Sequence, residues 1–180
     1  MSEIITIRDL SFRKFIDYQQ ILESVNRVAK EITNDLADKD PIFISVLNGS
    51  FMFTGELMKA VNIPSEITFV RLASYHGGLA TTNHVKEVMG LTEDIENRTV
   101  VIIEDIVDSG NTITSLIEQL KERKPKEIKV ATLLFKPDAL QREVKLDYVA
   151  LEIPNDFIVG YGLDYDGYGR NLKDIYKVVE

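Results

Sequence analysis

Residues 100–113, Val-Val-Ile-Ile-Glu-Asp-Ile-Val-Asp-Ser-Gly-Asn-Thr-Ile, constrain the fold more than any other stretch of the chain. Val100 to Ile103 form a short apolar run of the kind that makes a strand buried on both faces. The run stops at two adjacent carboxylates, Glu104 and Asp105. An apolar pair follows, then Asp108 and the small polar loop Ser109-Gly110-Asn111-Thr112, after which the spacing becomes helical. A buried strand therefore delivers acids and a donor-rich loop to one edge of a sheet. In open α/β sheets that edge, at the strand C-termini, is where ligands bind.

The remaining segments fit the same class. Asp17 and Gln20 have capping-box spacing, and Ile21, Val25, Val28, Ile32 and Leu36 recur behind them at helical intervals. Residues 42–47 predict a short apolar strand, broken by Asn48-Gly49-Ser50, and Phe51 to Val61 predict a helix. Residues 66–73 alternate as a strand should, and Val85 to Leu91 suit a return strand. Two more strands are expected at 128–135 and 147–153. Strands alternating with helices imply parallel βα units. Ser74 to Asn83 is small, polar and Gly-rich and predicts a mobile loop, residues 3–15 suit a strand or an irregular cover, and the Gly-, Tyr- and Asp-rich last 27 residues predict an irregular cap over the sheet.

Composition narrows the function classes. With 180 residues, 44% of them hydrophobic, the chain suits a single domain that buries roughly 70% of its unfolded surface. The formal charge of −8 argues against non-specific nucleic-acid binding, which needs a basic face. There is no cysteine, hence no disulfide framework or thiolate chemistry, and two histidines make a histidine zinc site a poor expectation. No apolar stretch approaches the ~20 residues of a membrane span, and no basic-then-apolar leader opens the sequence, so no membrane partner and a cytoplasmic location are expected.

The residue types after the first strand have definite uses. Adjacent acids can hold two ribose hydroxyls or the water shell of Mg²⁺, a hard cation that prefers oxygen. Ser, Gly and Thr at a helix start offer hydroxyls and backbone N–H groups to a phosphate, helped by the helix dipole. There is no Gly-Lys-Ser/Thr ending, so the loop suits a monophosphate rather than a wrapped triphosphate. The bland alternative is an ordinary strand-turn-helix with solvated acids.

Glu104 to Thr112 resembles the phosphoribosyl pyrophosphate motif of type I phosphoribosyltransferases, most closely the hypoxanthine-guanine branch. The resemblance runs from about residue 42 to 175. It implies the α/β fold of that family: a central, mostly parallel sheet flanked by helices over about residues 17–153. A small irregular hood would come from the N-terminal residues and about 154–180. Within the motif it implies that Glu104 and Asp105 bind ribose, that Asp108 to Thr112 hold the 5-phosphate, and that Asp108 is the general acid/base at purine N7. Asn111 is less usual there, but the phosphate needs only its backbone N–H.

Further segments carry the same resemblance. Phe135-Lys136-Pro137 is similar to a family segment whose lysine faces the 6-oxo group of a purine; otherwise Lys136 reads as a solvent-facing lysine held extended by Pro137. Residues 156–172 are similar to the family's late motif. There Phe157 would stack on the purine, Ile158 would meet its Watson–Crick edge, Asp164 would stand near the base and ligate Mg²⁺ with Glu104 and Asp105, and Arg170 would touch pyrophosphate. Without the resemblance, Phe157 reads as core and Asp164 as a turn acid. Ser74-Tyr75 is similar to the start of a loop that closes over the site in the family. Leu47-Asn48-Gly49 aligns with the family's pyrophosphate loop. Leu47 and Gly49 carry over as contacts, whereas Asn48 stands where most relatives have lysine, and its side chain is left without a carried-over role.

The implied activity is Mg²⁺-dependent transfer of 5-phosphoribosyl from phosphoribosyl pyrophosphate to a 6-oxopurine, releasing pyrophosphate, by a homo-oligomer. Two other classes fit the same residues less well. One is a relative directed at xanthine or a pyrimidine. The other is a nucleotide-sensing regulator that binds nucleic acid, against which the acidic charge and the lack of an added helix-turn-helix segment both count.

Overall fold

The computed structural model of the protein describes residues 4–74 and 86–179. Asp17 caps the first helix, α1 (Tyr18–Asp35), by accepting the Gln20 backbone N–H at 3.0 Å. Ile21, Val25, Val28 and Ile32 of this helix are fully buried, as their spacing predicts. The expected strands are β3 (Ile42–Leu47), β4 (Glu66–Ser74), β5 (Lys86–Met89), β6 (Thr99–Val107), β7 (Glu127–Phe135) and β8 (Tyr148–Glu152), all close to their predicted bounds except β6, which continues beyond Ile103. Helix α2 (Phe51–Ala60) joins β3 to β4, and α3 (Asn111–Lys121) joins β6 to β7.

These strands form one sheet in the order β5-β4-β3-β6-β7-β8. Its pairs are parallel except for the antiparallel edge strand β5. Both faces are covered at the central strands β3, β6 and β7, which read as largely apolar, whereas β4 near the edge keeps an alternating pattern. Val101 and Ile103 pack on one side with α1 and α2, while Val100 and Ile102 pack on the other with Ile113, Leu116 and Leu120 of α3. The chain leaves β3 towards β4 and leaves β6 in the opposite direction towards β7. The strand order therefore reverses between β3 and β6, and the loops after these neighbours open a crevice between them. That switch point is the expected ligand site of such a sheet.

The hood is more regular than its composition suggests. Residues 4–16 do not form a single strand or an irregular cover: they form the hairpin β1 (Ile4–Ile7) and β2 (Leu10–Ile16), turned at Arg8, whose φ is 53°. The last 27 residues keep an irregular middle but contribute β9 (Ile158–Val159) and β10 (Ile175–Val178). Together they build a four-stranded antiparallel sheet in the order β1-β2-β10-β9. Phe12, Val159 and Tyr176 form its small core. Asp174 ties the hood to the main domain: its buried carboxylate accepts the Tyr18 N–H at 2.8 Å, at the start of α1, and pairs with Lys14 at 2.8 Å.

Candidate active site

Strand β6 runs past the apolar stretch that predicts it, carrying Glu104 and Asp105 within the strand and ending at Val107, just before Asp108. Glu104 is buried, Asp105 is partly so, and Asp108 is exposed at the rim. With Ser109, Gly110 and Thr112 they line a cleft of about 250 Å³. Burial pushes the Asp105 carboxyl up to about 6. Hydrogen bonds from backbone N–H groups, Ile106 foremost at 2.9 Å, and the nearby Arg170 guanidinium pull the other way, while the Asp164 carboxylate adds to the rise. Asp105, Asp164 and Arg170 thus share one electrostatic neighbourhood although they come from β6 and the hood.

The loop after β3 lies between these two parts. A Cβ on Gly49 would overlap the Asp105 carboxylate, and a Cβ on Gly162 would overlap the Gly49 carbonyl. The Gly49 backbone is therefore held between the Asp105 carboxylate and the Gly162 backbone, and glycine is needed at both positions for space. The Leu47–Asn48 peptide bond is cis. The Asn48 side chain accepts a hydrogen bond from Arg71 Nη2 at 2.9 Å.

The donor-rich loop is braced from behind. Gly110 caps α3 with φ 80°, and a Cβ there would fall 2.7 Å from the Arg142 carbonyl oxygen. The Ser109 carbonyl accepts the N–H groups of Gln141 and Arg142 at 2.9 and 3.1 Å. Asn111 turns its amide inward on the loop, donating from Nδ2 to Ser109 Oγ at 3.1 Å. The start of α3 consequently faces the cleft with a fixed loop geometry, the arrangement that suits an anion.

Lys136 follows β7 and is buried, with Nζ 3.3 Å from Asp108 Oδ2. The structure therefore joins two residues predicted for the same purine from segments far apart in sequence. In the hood, Asp164 accepts the Gly167 N–H at 2.7 Å and pairs with Arg170 at 2.5 Å, and Arg170 also donates to the Gly162 carbonyl at 2.7 Å. The predicted metal ligand and the predicted pyrophosphate contact thus hold each other. Ile158 is buried in β9, while Phe157 is 46% exposed and meets Tyr165 edge-on at 5.8 Å. Neither lines the cleft at β6. Tyr75 lies outside the described residues, and Ser74 ends β4.

Among the described residues, no group of three or more His, Cys, Asp or Glu side chains gathers as a metal cluster. The acids present still fit Mg²⁺, which takes one or two carboxylates and completes its shell with phosphate oxygens and waters. Asp105 and Asp164, whose carboxylate raises the cost of charging Asp105, are such a pair.

A sequence profile described as the phosphoribosyl transferase domain matches residues 15–166. The chain belongs to the phosphoribosyltransferase family. It is 40% identical over 157 residues to the hypoxanthine-guanine phosphoribosyltransferase of Streptococcus pneumoniae, covering 87% of each. Its identity to the Streptococcus pyogenes enzyme of the same name is 42% over 163 residues, 87% of this chain and 91% of the relative. The crystal structure of a hypoxanthine phosphoribosyltransferase from Staphylococcus aureus superposes with a TM-score of 0.85 at 34% identity, covering 92% of this chain and 90% of the other. The α/β architecture read from the sequence is the one this phosphoribosyltransferase has.

Three participants escaped the sequence reading. Arg71 stands at an outward position of an alternating strand, where a charge is unremarkable. The register that pairs Leu47 with Arg71 is what brings it to the loop. Gly162 looked like one of several turn glycines, and its role depends on Gly49 lying beneath it. Asp174 had no motif at all. Its signal is a buried carboxylate, which exists only once the hood is folded.

Proposed function

We propose that this chain is a purine salvage enzyme that transfers 5-phosphoribosyl from phosphoribosyl pyrophosphate to a 6-oxopurine, hypoxanthine and guanine being the acceptors. The observation that carries the reading is the Lys136–Asp108 pair at the C-terminal ends of adjacent strands, beside a cleft lined by Glu104, Asp105 and the loop from Ser109 to Thr112. The names of the relatives support the choice of base.

In this reading the 5-phosphate sits on the loop from Asp108 to Thr112, and the ribose hydroxyls meet Glu104 and Asp105. Purine N9 attacks C1 of the ribose, the C1–O bond breaks, and its electron pair leaves with pyrophosphate. Asp108 faces N7 and takes its proton. Lys136 donates to the 6-oxo group and orients Asp108. Phe157 covers the base, and Ile158 offers backbone groups to its Watson–Crick edge. Leu47, Gly49 and Arg170 receive the pyrophosphate. Mg²⁺, when bound, supplies positive charge to that leaving group, and Glu104, Asp105 and Asp164 are the carboxylates that would hold it. The rate gain comes from positioning and electrostatics. The loop that begins at Ser74-Tyr75 excludes water, which would otherwise trap the ribosyl cation.

The chain works in the cytoplasm as a homo-oligomer in this proposal. Ile67 and Phe69 share the outward side of β4 and are 39% and 46% exposed, an apolar surface that suits a second copy. Light scattering tests that point. The activity is tested with phosphoribosyl pyrophosphate and Mg²⁺ against hypoxanthine, guanine, xanthine and adenine in parallel. Turnover of hypoxanthine and guanine with adenine silent is the expected result. Turnover confined to xanthine would redirect the acceptor, and silence with every purine would overturn the reading.

A further inference from the structure

The loop after β3 presents a problem of charge. It lies against the Asp105 carboxylate on one side and Gly162 on the other, in a neighbourhood that also holds Asp164. A pyrophosphate placed there meets acids, and Arg170, the guanidinium that acts on Asp105, is already engaged by Asp164 and the Gly162 carbonyl. The loop itself carries no positive side chain: it reads Leu47, Asn48, Gly49, Ser50.

A second guanidinium reaches the loop from the neighbouring strand. Arg71 pairs in register with Leu47, the residue before Asn48, and its Nη2 donates to Asn48 Oδ1 at 2.9 Å. That bond fixes the amide: with Oδ1 engaged as the acceptor, the Asn48 NH₂ group is turned the other way as a donor. A single hydrogen bond uses one of the five guanidinium N–H groups. Among the described residues, no carboxylate forms an ion pair with Arg71.

We propose that Arg71 supplies the positive charge of the pyrophosphate loop from the adjacent strand, and that Asn48 is the arm that holds its guanidinium at the loop. The pair acts as one unit: Asn48 donates from its amide, and Arg71 adds a delocalised charge whose fork geometry suits phosphate oxygens. The proposal deepens the reading of the site given above and rests on it. It also changes what a lysine at position 48 should do. In the native chain, Asn48→Lys removes the acceptor and sets two cations side by side, so it brings no gain in affinity. In a chain that lacks the Arg71 charge, the same lysine restores it.

The test compares the intact protein with Arg71→Gln, Asn48→Ala, Asn48→Lys and the double variant Asn48→Lys/Arg71→Gln. The readouts are the KM for phosphoribosyl pyrophosphate, the KM for hypoxanthine, and calorimetric binding of inorganic pyrophosphate with Mg²⁺. Arg71→Gln should weaken pyrophosphate and raise the KM for phosphoribosyl pyrophosphate by roughly tenfold or more, the scale of a lost charge-assisted hydrogen bond, while the KM for hypoxanthine stays put. The double variant should recover most of that loss, which a merely structural role for Arg71 would not produce. Asn48→Ala keeps the guanidinium but frees it, and should cost less than Arg71→Gln; it decides the matter if Arg71→Gln melts at a lower temperature than the parent. Unchanged pyrophosphate affinity in Arg71→Gln, no rescue in the double variant, or no loss in Asn48→Ala would overturn the proposal while leaving the enzyme reading intact. An intact protein that neither turns over phosphoribosyl pyrophosphate nor binds pyrophosphate would overturn both.

Discussion

Asp108 and Lys136 come from the ends of different strands, yet their side chains stand 3.3 Å apart. The Asp108 carboxylate is exposed beside a buried ammonium, and an amide in its place still offers Lys136 an acceptor. Asp108→Asn should therefore keep the parental melting temperature and lose roughly 10² to 10⁴ in turnover, measured by steady-state kinetics with hypoxanthine. Near-parental turnover would remove Asp108 from proton transfer. Asp105 makes a different prediction, in which pH is the variable. Its carboxyl has an ordinary value of 3.8 and is raised to about 6 in the fold. Between those values the folded chain keeps a proton that the unfolded chain releases, so the ligand-free protein loses stability as pH rises from about 4 to 6. Asp105→Asn should remove that slope and stabilise the ligand-free protein at pH 7 by up to ~3 kcal/mol, while weakening substrate binding. Urea melts at pH 4.5, 5.5 and 7 separate the two outcomes: an unchanged slope in the variant assigns it elsewhere. The placement of these acids at the sheet edge was legible because they follow apolar residues of β6. Their pairing was not, because contact between Asp108 and Lys136 depends on the parallel register of β6 with β7.

The β6–α3 unit shows how an element fixes its loop. Gly110 must be left-handed to turn the chain from strand into helix, and the backbone at Arg142 presses on it from behind. Gly110→Ala therefore combines a disfavoured φ with a clash against a carbonyl oxygen. It should destabilise the protein by about 1–3 kcal/mol and raise the KM for phosphoribosyl pyrophosphate more than that for the purine. Equal changes in both Michaelis constants would show that the distortion spreads beyond the phosphate loop. Strand β3, Ile42–Leu47, was readable to the residue because burial on both faces leaves a run that is apolar apart from Ser45. Strand β9 has only two residues, Ile158–Val159, and pairs through β10, so no periodicity could announce it. The hairpin turn at Arg8 was hidden for a related reason: it places a non-glycine residue at positive φ, where sequence offers no cue.

Taken as a whole molecule, the chain closes on itself through Asp174. Its carboxylate joins the hood strand β2, through Lys14, to the start of α1, through the Tyr18 N–H. A Cβ at Gly160 would overlap the Asp174 carbonyl, so the backbone at Asp174 is packed against Gly160 without slack. Burial works to raise the Asp174 carboxyl, but the hydrogen bonds from Lys14 and Tyr18 outweigh it and hold the group below the usual range. A depressed value in the fold means that the clamp contributes stability above the ordinary aspartate range and loses it as pH falls through the depressed value. Asp174→Ala leaves the Tyr18 N–H and Lys14 without their acceptor and should cost about 2–3 kcal/mol at pH 7. Asp174→Asn keeps an acceptor for Tyr18 but gives up the charge, so it should fall between the alanine variant and the parent and show less acid sensitivity than the parent. The hood also carries Phe157 and the Asp164–Arg170 pair, which the proposed reaction places on the purine and the pyrophosphate. A loosened clamp should therefore raise both Michaelis constants, whereas Asp108→Asn acts on turnover. Hydrogen exchange across β9 and β10 distinguishes the two cases: faster exchange in Asp174→Ala with normal protection in β6 places the defect in the hood, and uniform loosening would show that hood and sheet unfold as one cooperative unit.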